Sequence, residues 1–186
     1  MNDILDFSKI EAGKLALESY PLNLEDLVTS AAQLLRTKSN EKGLDLIVQY
    51  SPNIPKHFLG DSGRIRQIIL NLIGNAIKFT EKGQVLVNIK TAEITNKVAD
   101  IRIEVIDSGI GISEPDQNKL FKKFSQVKND RKFGGTGLGL TISKQLIEIM
   151  GGTIGVKSKE GQGSTFYFNI KLPVTNVYQE KNMIDV

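Results

Sequence analysis

Between positions 64 and 78, Arg64, Gln67, Asn71, Asn75 and Lys78 recur at steps of three and four. On a helix this spacing lays them along one stripe, opposite an apolar stripe of Ile65, Ile68, Ile69, Leu72 and Ala76. Asparagine is a poor choice for a helix interior, costing roughly 0.5 kcal/mol relative to alanine, so two of them one turn apart call for a reason. Amide oxygens are hard ligands suited to Mg²⁺, and a lysine one turn further on could meet a phosphate. A solvated polar face is the competing reading, and spacing alone leaves both open.

Two glycine-rich stretches carry the other candidate chemistry. The run from Ile101 to Ile106 closes in Asp107-Ser108-Gly109-Ile110-Gly111, an acidic residue at a strand end followed by a tight turn. Asp107 could cap its own turn, or it could accept a hydrogen bond from a purine amino group while Gly109 and Gly111 let a flat base approach the backbone. Gly134 to Leu140, which includes Gly135, Thr136, Gly137, Leu138 and Gly139, runs into a helix, the arrangement that delivers N–H groups and a positive helix end to phosphates. It lacks the Gly-Lys-Ser/Thr ending of a P-loop and the preceding strand of a dinucleotide fold. Phe121, Lys122, Lys123, Phe124, Lys128, Arg131 and Lys132 form a basic stretch just before it, either a solvated face or a neighbour of bound phosphates.

The elements that must position these residues follow from periodicity. Ile4, Leu5, Phe7 and Ile10 form the end of an amphipathic helix interrupted by Gly13. Asn23 can cap a helix with Leu24, Leu27, Val28, Ala31 and Leu35 on one face, stopped by Gly43, and Asp61 can cap the asparagine-bearing helix. Leu44, Leu46 and Val48 alternate as a strand. Val85, Val87 and Ile89 alternate likewise, as do Ile101, Ile103 and Val105, and the turn-like Thr95-Asn96 makes these two an antiparallel pair. Leu138 to Met150 predicts a helix ended by Gly151-Gly152, and 153–159 with 164–172 predict a hairpin. Three core helices and about five strands, grouped rather than strictly alternating, argue for an α+β two-layer sandwich.

Composition narrows the function classes. With 186 residues, the chain fits one main domain and a short appendage. Absence of cysteine excludes disulfides and thiolate chemistry, and a single histidine leaves any metal to oxygen ligands. A net charge of +3 without a basic tract or interleaved aromatics argues against nucleic-acid binding. No apolar run reaches membrane-span length, and the start has no signal-peptide pattern, so this stretch is expected to be cytoplasmic even if a parent protein is anchored in an inner membrane.

The order of the motifs carries more than any one of them. NLIGNAIKFT (71–80), DSGIGI (107–112), LFKKFSQ (120–126), GGTGLGL (134–140) and GQGSTF (161–166) resemble, in sequence, the N box, first glycine box, F box, second glycine box and third glycine box of histidine kinases. NDILDFSKIEAGKL resembles the end of the second helix of that family's dimerisation and phosphoacceptor domain. The glycine and F boxes look most like those of hybrid kinases, in which a receiver domain often follows. The resemblance implies the Bergerat-type ATP-binding fold shared with DNA gyrase, heat-shock chaperones and mismatch-repair ATPases, a mixed sheet of about five strands on three helices. Residues 1–18 would be the end of the acceptor helix and a linker, 19–173 the catalytic domain, and 174–186 a linker or frayed tail.

Site roles come with the resemblance. Asp107 would bind the adenine amino group, with Gly111 and Thr165 close to the base. Asn75, together with Asn71, would hold Mg²⁺ on the phosphates of ATP, and Lys78 would contact a phosphate. Residues 124–137 would form a lid, with Phe121 and Phe124 packing its base. The family's hydrolytic relatives carry a glutamate where this chain has Asn71, which cannot act as a base, so hydrolysis is expected to be slow and transfer to an imidazole favoured. That imidazole is not in the chain: His57 lies in a short strand-like segment unlike the family's acceptor motif and reads as structural. The expected partners are ATP, an acceptor domain, a receiver domain and a second subunit of a homodimeric parent.

Overall fold

The computed structural model describes residues 3–95, 97–122 and 137–176. Its helices and strands run α1 (Asp3–Glu11), β1 (Tyr20–Asn23), α2 (Leu24–Glu41), β2 (Asp45–Tyr50), β3 (His57–Gly60), α3 (Ser62–Phe79), β4 (Gln84–Ile94), β5 (Val98–Asp107), α4 (Glu114–Gln117), α5 (Gly139–Ile149), β6 (Thr153–Ser158) and β7 (Ser164–Pro173). Both expected caps form. Asn23 Oδ1 accepts the Asp26 N–H at 3.2 Å to open α2, and Asp61 Oδ1 accepts the Arg64 N–H at 2.9 Å to open α3.

Five strands form one mixed sheet in the order β2, β4, β5, β7, β6, with β2 parallel to β4 and the other neighbours antiparallel. Strand alternation sends Val87, Ile103, Val105, Phe168 and Ile170 to one face, where α2, α3 and α5 cover them. Along α3, Ile65, Ile68, Ile69, Leu72, Ile73, Ala76 and Ile77 are all buried, a stripe wide enough to meet both the sheet and its neighbouring helices. This is the two-layer α+β sandwich indicated by the sequence. Among the described residues, no helix is long and apolar enough to cross a membrane.

A second, two-stranded sheet was not expected. β1 pairs with β3 in antiparallel register, Leu22 opposite Phe58, and both side chains are buried. Pro21 within a four-residue run gives no alternation to read, and only the pairing with β3 reveals it as a strand.

The N-terminal helix packs against α5, where Gln145 Nε2 donates to Glu11 Oε1 at 3.4 Å, and is tied by hydrogen bonds to α3. Nine residues are too few for a stable isolated helix, and α1 is held by Phe7 and Ile10 against the core and by the buried carboxylate of Asp6. Asp6 Oδ1 accepts from Arg64 Nη1 at 3.0 Å, Oδ2 accepts from Gln67 Nε2 at 2.9 Å, and Arg64 Nη1 also donates to Gln67 Oε1 at 2.9 Å. Burial pushes the Asp6 pKa up, but the Gln67 and Arg64 bonds outweigh it and hold the carboxyl below its usual value. The linker is fixed to the same helix turn, where Glu18 N–H donates to Asp61 Oδ2 at 3.0 Å. Two of the five polar-stripe residues, Arg64 and Gln67, thus hold α1.

Candidate functional site

Asp107 ends β5 on the helix-covered face, in line with Val105 and Ile103, and is 7% exposed. Its Oδ1 accepts the Gly109 N–H at 2.8 Å, so the turn is capped. The Ser164 N–H bonds the same carboxylate. Burial nevertheless dominates and pushes the Asp107 pKa above its ordinary value, because two backbone donors do not replace a cation. A carboxylate offers about four lone-pair sites, so this one retains capacity for a further donor such as an amine. Capping and ligand binding, alternatives in the sequence, are compatible here.

The glycines of this turn serve the protein's own backbone. A Cβ on Gly109 would come within 2.4 Å of the Phe79 carbonyl oxygen. Gly111 has φ +68°, and a Cβ there would lie 2.0 Å from the Lys159 carbonyl. Close approach is indeed their function, but what approaches is the end of α3 at Gly109 and the neighbouring turn 159–163 at Gly111.

Ser158 links these turns through one hydroxyl. Its Oγ accepts the Ile112 N–H at 2.8 Å, lies 2.9 Å from the Gly163 carbonyl as donor, and lies 2.8 Å from Ser164 Oγ. Gln117 of α4 adds two bonds from Nε2, to the carbonyls of Ile112 at 2.8 Å and Ser158 at 3.0 Å. Neither Ser158 nor Gln117 stood out in the sequence, since a serine at a strand end and a glutamine in a short helix are ordinary surface residues until the turns are brought together.

Thr165 is not in this cluster but on the other face of the sheet. Asp107 pairs directly with Ser164, whereas Thr165 pairs with Ile106 and Lys157. Alternation turns Thr165 to the opposite face and gives the position beside Asp107 to buried Ser164.

On α3 the asparagines divide. Asn71 Nδ2 donates to Ser143 Oγ of α5 at 2.9 Å, and a Cβ added to Gly139 would lie 2.4 Å from Asn71 Oδ1. Asn71 therefore fastens α3 to α5, and Gly139 is glycine so that the helices can meet. Asn75, one turn on, is half-buried, and nothing lies within 4 Å of a Cβ built on adjacent Gly74, so α3 borders open space there. Lys78 is half-buried with Nζ 4.6 Å from the centre of the Phe79 ring. Lys42, which the sequence did not mark, donates to the carbonyls of Ile77 at 2.6 Å, Lys78 at 3.0 Å and Thr80 at 2.8 Å. It caps the end of α3 and fixes the backbone on which Asn75 and Lys78 ride.

Before α5, Gly137 has φ +68° and turns the chain into the helix, while the side chain of Leu138 is 5% exposed and belongs to the core. Its apolar group fills the space under the helix start, which leaves only its backbone to face a ligand. Phe124, Gly135, Thr136 and nearly all of the expected 124–137 lid lie outside the described residues. Phe121 is half-buried against the core, and Thr141 Oγ1 donates to the Lys122 carbonyl at 3.3 Å, tying α5 to the segment leading there. Among the described residues, no three His, Cys, Asp or Glu side chains cluster to hold a metal ion. Amide oxygens with phosphate and water ligands fit Mg²⁺ at such a place, because that ion usually keeps several waters and takes few protein ligands.

His57 is far from all of this. Its carbonyl accepts the Thr175 N–H at 3.1 Å, beyond the far end of β7. That strand starts at Ser164 and ends at Pro173, a run of about 30 Å at roughly 3.3 Å per residue.

The sequence pattern of the family described as "Histidine kinase-, DNA gyrase B-, and HSP90-like ATPase" matches residues 60–175. Sensor protein GacS of Pseudomonas syringae pv. syringae is 46% identical over 185 residues, covering 98% of this chain and 20% of its own length. The chain therefore spans about a fifth of that curated relative. Full-length ShkA in complex with AMPPNP superposes with a TM-score of 0.82 at 36% identity, over 94% of this chain and 35% of that one. The nucleotide-free catalytic domain of histidine kinase ThkA superposes with a TM-score of 0.69 at 31% identity, over 85% of this chain and 97% of that one. The fold, the ordered boxes and a domain-length match to a kinase catalytic domain agree, and the chain belongs to the histidine kinase-, DNA gyrase B- and HSP90-like ATPase family as a catalytic ATP-binding domain of the histidine-kinase kind.

Proposed function

We propose that this domain binds Mg-ATP and transfers the γ-phosphoryl group to a histidine of a dimerisation and phosphoacceptor domain, in two-component signalling. The single observation that carries the reading is Asp107: a buried carboxylate, raised in pKa by burial, bonded by two backbone N–H groups and set at the mouth of the helix-covered face. Such a group is held ready for a donor from outside the fold, and the amino group of adenine supplies it. Asn75 is the Mg²⁺ ligand, Asn71 supports it from the previous turn, and Lys78 meets a phosphate oxygen. Bound Mg²⁺ neutralises charge developing between the phosphates.

An incoming imidazole nitrogen attacks the γ-phosphorus in line. The phosphorus–oxygen bond to ADP breaks, ADP leaves with the electron pair, and the imidazole proton passes to solvent. Positioning dominates this reaction. Asn71 has no carboxylate to activate water, which disfavours hydrolysis, and its Nδ2 is bonded to Ser143. The acceptor histidine lies in another domain or chain, α1 is the end of that domain's helix, a receiver domain takes the phosphoryl group onward, and the parent works as a homodimer at the cytoplasmic side.

The test is incubation of this chain with radiolabelled ATP, alone and with its cognate acceptor domain. Acid-labile label is expected on the acceptor only, slower than in a joined protein because effective concentration is lost. Label on this chain alone that vanishes in His57→Ala would sink the assignment.

A further inference from the structure

The hydrogen-bond arithmetic around Ser158 carries an inference that rests on the base-end reading of Asp107. A serine hydroxyl has one proton to donate and two lone pairs to receive. Ser158 Oγ has three partners: the Ile112 N–H at 2.8 Å, the Gly163 carbonyl at 2.9 Å and Ser164 Oγ at 2.8 Å. The Ile112 N–H can only donate and the Gly163 carbonyl can only accept. With Ser158 donating to Gly163, one lone pair remains, and Ser164 fills it by donating its own proton. All three of Ser158's capacities are then used, and Ser164 Oγ is left with lone pairs alone. The reverse arrangement, Ser158 donating to Ser164, leaves the Gly163 carbonyl with only the long 3.4 Å bond from the Lys159 N–H.

Ser164 and Asp107 are register partners on the same sheet face, and the Ser164 N–H already bonds the Asp107 carboxylate. We infer that Ser158 is a positioning residue that fixes base specificity: by taking the Ser164 proton it makes the end of the site beside Asp107 an all-acceptor surface, matched to a purine carrying an amino group and mismatched to one carrying a 6-oxo group. Gln117 reinforces the geometry by holding the carbonyls of Ile112 and Ser158 from the other side. Two acceptors meeting an oxo oxygen leave buried lone pairs facing one another, whereas an exocyclic amine brings two N–H donors.

Calorimetry on this chain with the magnesium complexes of ATP and of inosine triphosphate, which has an oxygen in place of the amine, reads the effect as a ratio. The wild type is expected to favour ATP by at least about tenfold, the scale of one well-matched buried polar contact. Ser158→Ala frees the Ser164 proton to serve an oxo group, and the ratio falls severalfold, mainly through tighter inosine triphosphate binding. Ser158→Thr keeps the hydroxyl and restores the ratio. Ser164→Ala removes the acceptor while leaving Ser158 its bonds to Ile112 and Gly163, so it also lowers the ratio and serves even if Ser158→Ala unfolds. General loosening of the turns would weaken both nucleotides together and leave the ratio intact. An unchanged ratio in Ser164→Ala and Ser158→Ala, alongside a collapsed one in Asp107→Asn, overturns the role of Ser158; an unchanged ratio in Asp107→Asn overturns the base-end reading itself.

Discussion

Glu104 and Asp107 lie three residues apart on β5, and each is less than a tenth exposed, yet the protein treats them oppositely. Glu104 faces the uncovered side of the sheet within a ring of cations. Its Oε2 accepts from Lys90 Nζ at 2.9 Å and its Oε1 from Arg102 Nε at 2.8 Å, while the Arg102 guanidinium lies 3.8 Å over the Tyr167 ring. Burial pushes its pKa up, but Arg102 and Lys90 hold it below the usual value. Asp107 receives two backbone N–H groups and stays above its usual value. A buried carboxylate satisfied by cations belongs to the frame, and one left without a cation is, on the function proposed above, the one that meets a ligand.

The sharpest way to break that contrast is to neutralise each carboxylate in turn. Asp107→Asn should weaken ATP binding by about 10- to 150-fold, the equivalent of roughly 1.5–3 kcal/mol for a charge-assisted hydrogen bond. Glu104→Gln should stay within about twofold of wild type in the same titration. Comparable losses in both would erase the distinction.

Stability should show the reverse order. Urea unfolding at neutral pH is expected to cost Glu104→Gln about 1–2 kcal/mol, discounted because Lys90 is largely exposed. The pH dependence has opposite signs for the two groups. A lowered folded pKa means that Glu104 stabilises above its unfolded value, near 4.5, and that this is lost as pH falls through the folded value, so the Glu104→Gln deficit shrinks on acidification. A raised folded pKa means that Asp107 favours the fold in its protonated form; that contribution is complete below about 3.8 and is lost as pH rises through the folded value. As pH rises, Asp107→Asn should therefore gain ground on wild type from about 3.8 up to the folded Asp107 value, whereas Glu104→Gln should lose ground only up to about 4.5. Parallel slopes would mean that the two environments do not differ in kind.

A smaller effect is expected at Lys42. Removing its ammonium from three carbonyls at the end of α3 should cost about 1 kcal/mol, the upper range for a charge at a helix C-terminus, with a modest further loss in ATP affinity through Lys78. Thermal unfolding of Lys42→Met, with and without Mg-ATP, separates the two.

What the sequence disclosed and what it hid follow a physical line. Asn23, Asp61 and the isoleucines of α3 act within one or two turns, and their spacing alone predicted cap and face. The hairpin of β6 and β7 was equally legible from alternation. Contacts across long separations left no mark: Lys42 reaches α3 from 35 or more positions away, and Ser158 meets Ile112 across 46. The motif GQGSTF alone does not say which of Ser164 and Thr165 stands beside Asp107; the two-residue period of a strand, counted through the register partner, selects the serine. Gly109 and Gly111 read as sites of close approach and Gly139 as part of a phosphate-facing loop, but only coordinates tell which neighbouring atoms come near each.

The Asp6 junction gives α3 the character of a lever. Arg64 and Gln67 are gripped near one end by α1, Asn71 rests on α5 as on a fulcrum, and Asn75 lies eleven positions beyond Arg64, roughly 16 Å along the axis. A stiff rod held this way cannot tilt at one end and stay still at the other. Torque on α1 is therefore divided between α5, through the Glu11–Gln145 contact, and this rod, through Asp6, and the share that the rod takes arrives as displacement beneath the amide at its far side.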